Sequence, residues 1–249
     1  MPHHPFKSLS LAAAATLCMA GAAAAGDFAE LNILGFNGDG TVFAFEQYGV
    51  QDGSGFPYAE RFYIDTRDDS FVPGTPIRVR IDDENASLDD ARAQASSAGE
   101  AIVADAILAD NRGYTAGFNA PTEQSADPWR MAVNPRPVEP PIDAPLEVRL
   151  KEKTFPSPGS CPEEIVKGFT LTLIDPTPGG VTRLLADDLS VPSSRACPNG
   201  YRIGGIQTFY PQAGEPVFAT IIAVRSFGFE GPDYRWMAVT ARIDELPAK

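Results

Sequence analysis

Phe169-Thr-Leu-Thr-Leu-Ile-Asp175 alternates apolar and polar side chains, the pattern of a strand that buries one face. Pro176-Thr-Pro-Gly-Gly180 then reads as a turn, and another strand is expected at about 181–185. Upstream, Leu146-Glu-Val-Arg-Leu-Lys-Glu152 alternates in the same way. Downstream, 201–210, 217–227 and 234–243 read as strands, the second with an apolar run from Val217 to Val224. Near the N-terminus, Phe36-Asn-Gly-Asp-Gly-Thr-Val-Phe-Ala-Phe45 couples Asn-Gly and Asp-Gly turn signals to an alternating run. Strands at about 59–65 and 77–81 follow it.

Only one stretch changes period. Leu88, Ala91, Ala95, Ala98 and Ile102 recur at helical spacing behind Ser87-Leu-Asp-Asp90, a start resembling a capping box. A helix is predicted over 88–110, with Ser96-Ser-Ala-Gly99 as its weak point and an Ala-rich face suited to close packing on a sheet. No succession of βαβ units appears, so the sheets are expected to be antiparallel. The expected fold is mainly β: a sandwich or a small irregular propeller, with one Ala-rich helix packed on it.

The remaining organisation follows from composition. Of 249 residues, 22 are Gly and 23 are Pro, which suits a chain rich in turns. Residues 1–25 have the form of a cleaved signal peptide: Lys7 in a short basic region, an apolar stretch from Ser8 to Ala20, and Ala23-Ala24-Ala25 as the cleavage site. The mature chain, 26–249, is expected to form a single mainly-β domain. A subdivision into 26–118 and 146–249, joined by the Pro-rich strap 119–145, is the other organisation the sequence allows. Export predicts a periplasmic or secreted protein without stable membrane insertion after cleavage. A formal charge of −13 lacks the basic stripe that nucleic acid requires, so no nucleic-acid partner is expected.

The missing residues exclude whole chemistries. His3 and His4 are the only histidines and both precede the cleavage site. Ser-His-Asp catalysis, Cys-His catalysis and histidine zinc sites are therefore excluded from the mature chain. No P-loop and no G-x-G-x-x-G is present, and neither a cofactor nor a metal site is predicted. Cys161 and Cys197 are the only cysteines after residue 25. In an exported chain they are expected to form a disulfide, worth about 4 kcal/mol by chain entropy.

Carboxylates and aromatics remain as candidate site residues. Glu46, Tyr48, Asp52, Phe56, Tyr58 and Glu60 fall in one Gly-rich stretch. Rings that stack and carboxylates that accept hydrogen bonds suit a saccharide or a basic peptide. Asp233 and Tyr234, in Glu230-Gly-Pro-Asp-Tyr-Arg-Trp236, form a second candidate, which gains weight if both stretches lie at one end of the β-structure. The acidic pairs at 68–69, 82–84, 89–90, 163–164 and 187–188 sit near turns and helix starts and read as caps.

Gly35-Phe-Asn-Gly-Asp-Gly-Thr-Val-Phe-Ala-Phe45, followed by Phe62-Tyr-Ile-Asp65, resembles one blade of a TolB-like or WD-type propeller. The leader, this hairpin, Glu46 to Glu60, the Ala-rich helix and Glu230 to Trp236 together resemble a domain-of-unknown-function family of predicted secreted bacterial proteins. That resemblance implies export and assigns no catalytic residue. The expected function is non-catalytic binding or interaction, with an envelope protein, a basic peptide or a saccharide as partner. The alternatives are a carboxylate-dependent glycan hydrolase and a structural or assembly partner in the cell envelope.

Overall fold

A computed structural model describes residues 26–175, 179–229 and 231–243. The expected signal peptide, residues 176–178 of the expected turn, and Glu230 lie outside the described residues. The strands are β1 (Glu30–Phe36), β2 (Val42–Val50), β3 (Pro57–Asp65), β4 (Ser70–Phe71), β5 (Ile77–Arg80), β6 (Tyr114–Phe118), β7 (Arg130–Val133), β8 (Leu146–Pro156), β9 (Ile165–Ile174), β10 (Arg183–Asp187), β11 (Pro198–Phe209), β12 (Val217–Phe227) and β13 (Pro232–Arg242). The helices are α1 (Leu88–Gly99), α2 (Asp105–Asp110) and the 3-10 turn η1 (Ser193–Arg195).

Every strand pair is antiparallel, and the strands form three sheets. Sheet I orders β1-β2-β3-β4, with β5 also on β3. Sheet II orders β13-β12-β11-β6, and sheet III orders β10-β9-β8-β7. The mainly-β, antiparallel expectation is met. The Gly35–Phe45 stretch runs from the end of β1 through a turn into β2, and Phe62–Asp65 ends the neighbouring β3.

The run Val217–Val224 explains how the sheets stack. Val217, Ala219, Ile221 and Ala223 pack into the core shared with sheet I. Phe218, Ile222 and Val224 pack into the core shared with sheet III. A strand covered on both faces loses the polar half of its alternation, so eight consecutive residues are buried. Each large side chain so buried contributes about 1.5–3 kcal/mol.

Sheet I is also covered twice. Phe43, Phe45, Phe62 and Ile64 face sheet II, with Phe45 and Phe62 stacked at 4.6 Å. Ala44, Tyr63 and Leu108 pack on the other side, as do Ala59, Ala91 and Ala95 beneath α1. The Ala-rich face therefore docks closely, as expected from its small side chains. Gly99 ends α1, and a Cβ there would collide with the Tyr63 hydroxyl. The predicted 88–110 helix breaks after Gly99 and resumes as α2.

Sheet III is closed at one end by the disulfide between Cys161 and Cys197, with Cα atoms 5.6 Å apart. It joins the β8–β9 connection to the residue preceding β11. Short strands β6 and β7, in a region without periodicity, belong to sheets II and III respectively. β6 shows no alternation of burial, and β7 alternates over only four residues, with Met131 and Val133 half-buried against the core.

Candidate functional site

β13 is an edge strand of sheet II. Above its outer edge, sheets I and III converge and leave a cleft of about 540 Å³. That volume is within the ~300–1,000 Å³ of small-ligand pockets. Trp236 to Val239 form its floor, with Val224 and Ser226 from β12. Phe62, Ile64 and Phe71 form the sheet I wall. Phe169, Ala186 and the segment Pro192–Ala196 form the opposite wall. Phe71 is 52% exposed and Phe227 57% exposed at the rim, and neighbouring Phe229 is 82% exposed.

Long-range polar contacts fix the walls. Asp188 accepts from the Phe169 amide at 2.8 Å and pairs with Arg195 at 2.6 Å. The Arg195 guanidinium also lies 4.9 Å from the Phe169 ring centroid. Cys197 follows directly, so the disulfide anchors the same wall. On the sheet I side, Glu60 accepts from Arg78 at 3.0 Å and from Gln47 Nε2 at 2.6 Å. Gln47 Oε1 accepts from the Trp236 amide at 2.6 Å. Asp69, in the β3–β4 turn at φ 57°, accepts from the Thr240 amide and hydroxyl at 2.7 and 2.9 Å. Asp69 is exposed at the turn, but its carboxyl is tucked against β13, and that burial pushes its pKa up to about 6 against the Thr240 hydrogen bonds.

The sequence-derived candidates separate according to strand parity. In the β2–β3 register Glu46 opposes Arg61, and Gln47 opposes Glu60. Opposed residues share a face, so Glu46 and Tyr48 lie under α1, away from the cleft. Glu46, 1% exposed, accepts from Arg92 at 2.8 Å and Asn32 at 3.2 Å, and pairs with Arg61 at 3.8 Å. The Tyr48 ring carries the Arg92 guanidinium at 3.9 Å. Arg61 in turn is held by Asp105 at 2.6 Å. This network joins the helices to sheet I.

Tyr58 faces sheet II, donates to Asp27 at 3.0 Å, and has its hydroxyl pKa raised first by burial. Phe56 lies 5.9 Å from the Arg80 guanidinium. Glu60 and Asp233 line the cleft. Asp233 accepts from the Asp27 amide at 2.9 Å, and burial raises its pKa. Tyr234 stacks on Phe28 at 4.9 Å. Asp52 lies in the β2–β3 connection, where it bears electrostatically on Asp233. The Arg235 guanidinium lies 4.8 Å from the Tyr58 ring centroid, so the two candidate stretches meet at one end of the β-structure.

Asp69, Phe71, Arg195 and the β13 edge have no motif in the sequence. Asp69 reads there only as half of an acidic turn pair, whereas Glu60, Asp233 and Trp236 fall in the two candidate stretches. Among the described residues, no group of three or more His, Cys, Asp or Glu is arranged to hold a metal ion. No described helix is long and apolar enough to cross a membrane.

No curated protein and no solved structure matches the chain. Residues 44–242, which include both walls and the floor of the cleft, match one family, and the chain belongs to it: the predicted secreted proteins described as DUF2259.

Proposed function

We propose that this predicted secreted protein acts outside the cytoplasmic membrane as a non-catalytic binding protein, and that the cleft over β13 is its binding site. The cleft itself carries the reading, with an apolar floor, exposed aromatic rims and a few convergent polar groups. Its carboxylates are engaged by neighbours: Glu60 by Arg78 and Gln47, Asp69 by Thr240, Asp233 by Asp27. Carboxylates held in place by neighbouring donors are fixed acceptors, which suits recognition of a ligand. The disulfide supports an oxidising compartment.

The test is a thermal-shift titration of the exported chain, disulfide intact, with calcium, oligosaccharides and basic peptides. A ligand at a hundredfold its Kd adds about 2.7 kcal/mol, which raises Tm by several degrees at about 2–4 °C per kcal/mol. Ser194→Trp, at an exposed position of the cleft wall, is expected to abolish that shift. A shift that survives Ser194→Trp places the ligand elsewhere. No shift from any of the probes removes the support for a binding protein.

A further inference from the structure

We infer that the cleft takes an extended peptide segment, paired through one residue to the backbone of Ala238, with a basic side chain next to an apolar one. This rests on the cleft being the ligand site. β13 pairs with β12 in a register that sets Ala241 against Phe218, Val239 against Thr220 and Met237 against Ile222. The even-numbered residues turn their backbone groups to the free edge. The amides of Tyr234, Trp236 and Thr240 confirm this by donating outward, to Asp27 O at 2.9 Å, Gln47 Oε1 at 2.6 Å and Asp69 Oδ1 at 2.7 Å.

Ala238 lies between the capped positions and lines the cleft. Strand alternation aims its N–H and its C=O outward together. Among the described residues nothing accepts from that amide. Side-chain oxygens thus close the edge on both sides and leave a window one residue long. The closure blocks open-ended strand addition, the hazard of an exposed edge.

That window selects its occupant. A residue of extended peptide presents its own N–H and C=O on one side, and can exchange both bonds with Ala238. A trans acetamido group of an amino sugar points its N–H and C=O in opposite directions and can satisfy only one. The residues flanking the pairing position would meet Phe62 and Ile64 on one wall and Phe169 on the other.

Charge narrows the choice further. The three arginines lining the cleft are already paired: Arg78 with Glu60, Arg195 with Asp188, and Arg235 with Asp27. Asp69 and Asp233 accept their hydrogen bonds from neutral donors. The cleft therefore leaves negative charge uncompensated by ion pairs, in a chain of formal charge −13, and a cationic side chain complements it.

The test uses a library of capped hexapeptides randomised over apolar and basic residues, with binding read by tryptophan fluorescence on the full exported chain. The tightest binder is then N-methylated one residue at a time, beside acetylated chito-oligosaccharides as the non-peptide probe. The expected result is a binder blocked by Ser194→Trp, weakened about tenfold or more by N-methylation at one position and little at its neighbours. Equal tolerance of every N-methyl group, with Ser194→Trp still blocking, overturns the Ala238 pairing and leaves the cleft as the site. Oligosaccharide binding without peptide binding, again blocked by Ser194→Trp, also overturns the peptide and keeps the cleft. Binding indifferent to Ser194→Trp overturns both.

Discussion

Glu46 and Asp69 show how differently two acidic residues act in one sheet. Glu46 is an anion enclosed between sheet I and α1, with Arg92 and Arg61 as its counter-ions. Removing one partner from a buried pair leaves the other charge uncompensated, at a cost of about 3 kcal/mol. Glu46→Ala is expected to lower stability by about that amount in urea unfolding at constant m-value. A loss under about 0.5 kcal/mol, the scale of an ordinary surface substitution, would show that the pair contributes little. Asp69 behaves in the opposite sense. Its carboxyl, raised by burial to about 6 from an ordinary 3.8, holds its proton more tightly folded than unfolded. The folded state therefore binds more protons between pH 4 and 6, and this group's contribution to stability declines as pH rises through that window. The difference in Tm between the native chain and Asp69→Asn should change across pH 4–6 and be flat above about 7. A difference independent of pH would place the carboxyl in water. Neither role is legible in the sequence. Glu46 reads there as a candidate ligand-binding carboxylate in a Gly-rich stretch, and Asp69 as half of a turn pair, because their partners lie far along the chain.

At the level of elements, periodicity carries most of the fold and fails where a strand has no second environment. The alternation in β8 and β9 and the Ala spacing of α1 are visible because each has one buried and one open face. β6 and β7 are short edge strands with no fully buried residue, and nothing in their composition marks them. The break after Gly99 is visible as a run of small polar residues, but its cause is a contact. Tyr63 fills the space where a side chain at 99 would stand. Gly99→Ala is expected to cost about 1–3 kcal/mol through overpacking, despite the better helix propensity of Ala. Tyr63→Phe removes the colliding oxygen, so the double variant should recover part of that loss in a double-mutant cycle. Strict additivity would mean that the clash relaxes through the backbone instead.

Over the whole molecule, the continuous apolar run of β12 announces a strand covered on both faces, whereas the cleft is announced only in fragments, by Glu60, Asp233 and Trp236. Its polar fittings come from residues 47, 60, 69, 195 and 238, brought together only when three sheets close on one edge. The cysteine pair is legible from composition and compartment, but its position beside the cleft wall is not. That position couples stability to binding. Cys197 ends the segment Pro192–Ala196, so the cross-link to Cys161 restrains the wall as well as the unfolded chain. Replacing both cysteines with serine is expected to remove about 4 kcal/mol by chain entropy, lowering Tm by about 10 °C for a chain of this size. The same variant, at a temperature where it remains folded, should bind the cleft peptide at least about tenfold more weakly, because the wall must be ordered on binding. Calorimetry and the fluorescence titration separate the two effects. A lower Tm with unchanged affinity would assign the wall to the Arg195–Asp188 pair and the Phe169 ring, leaving the disulfide to stability alone.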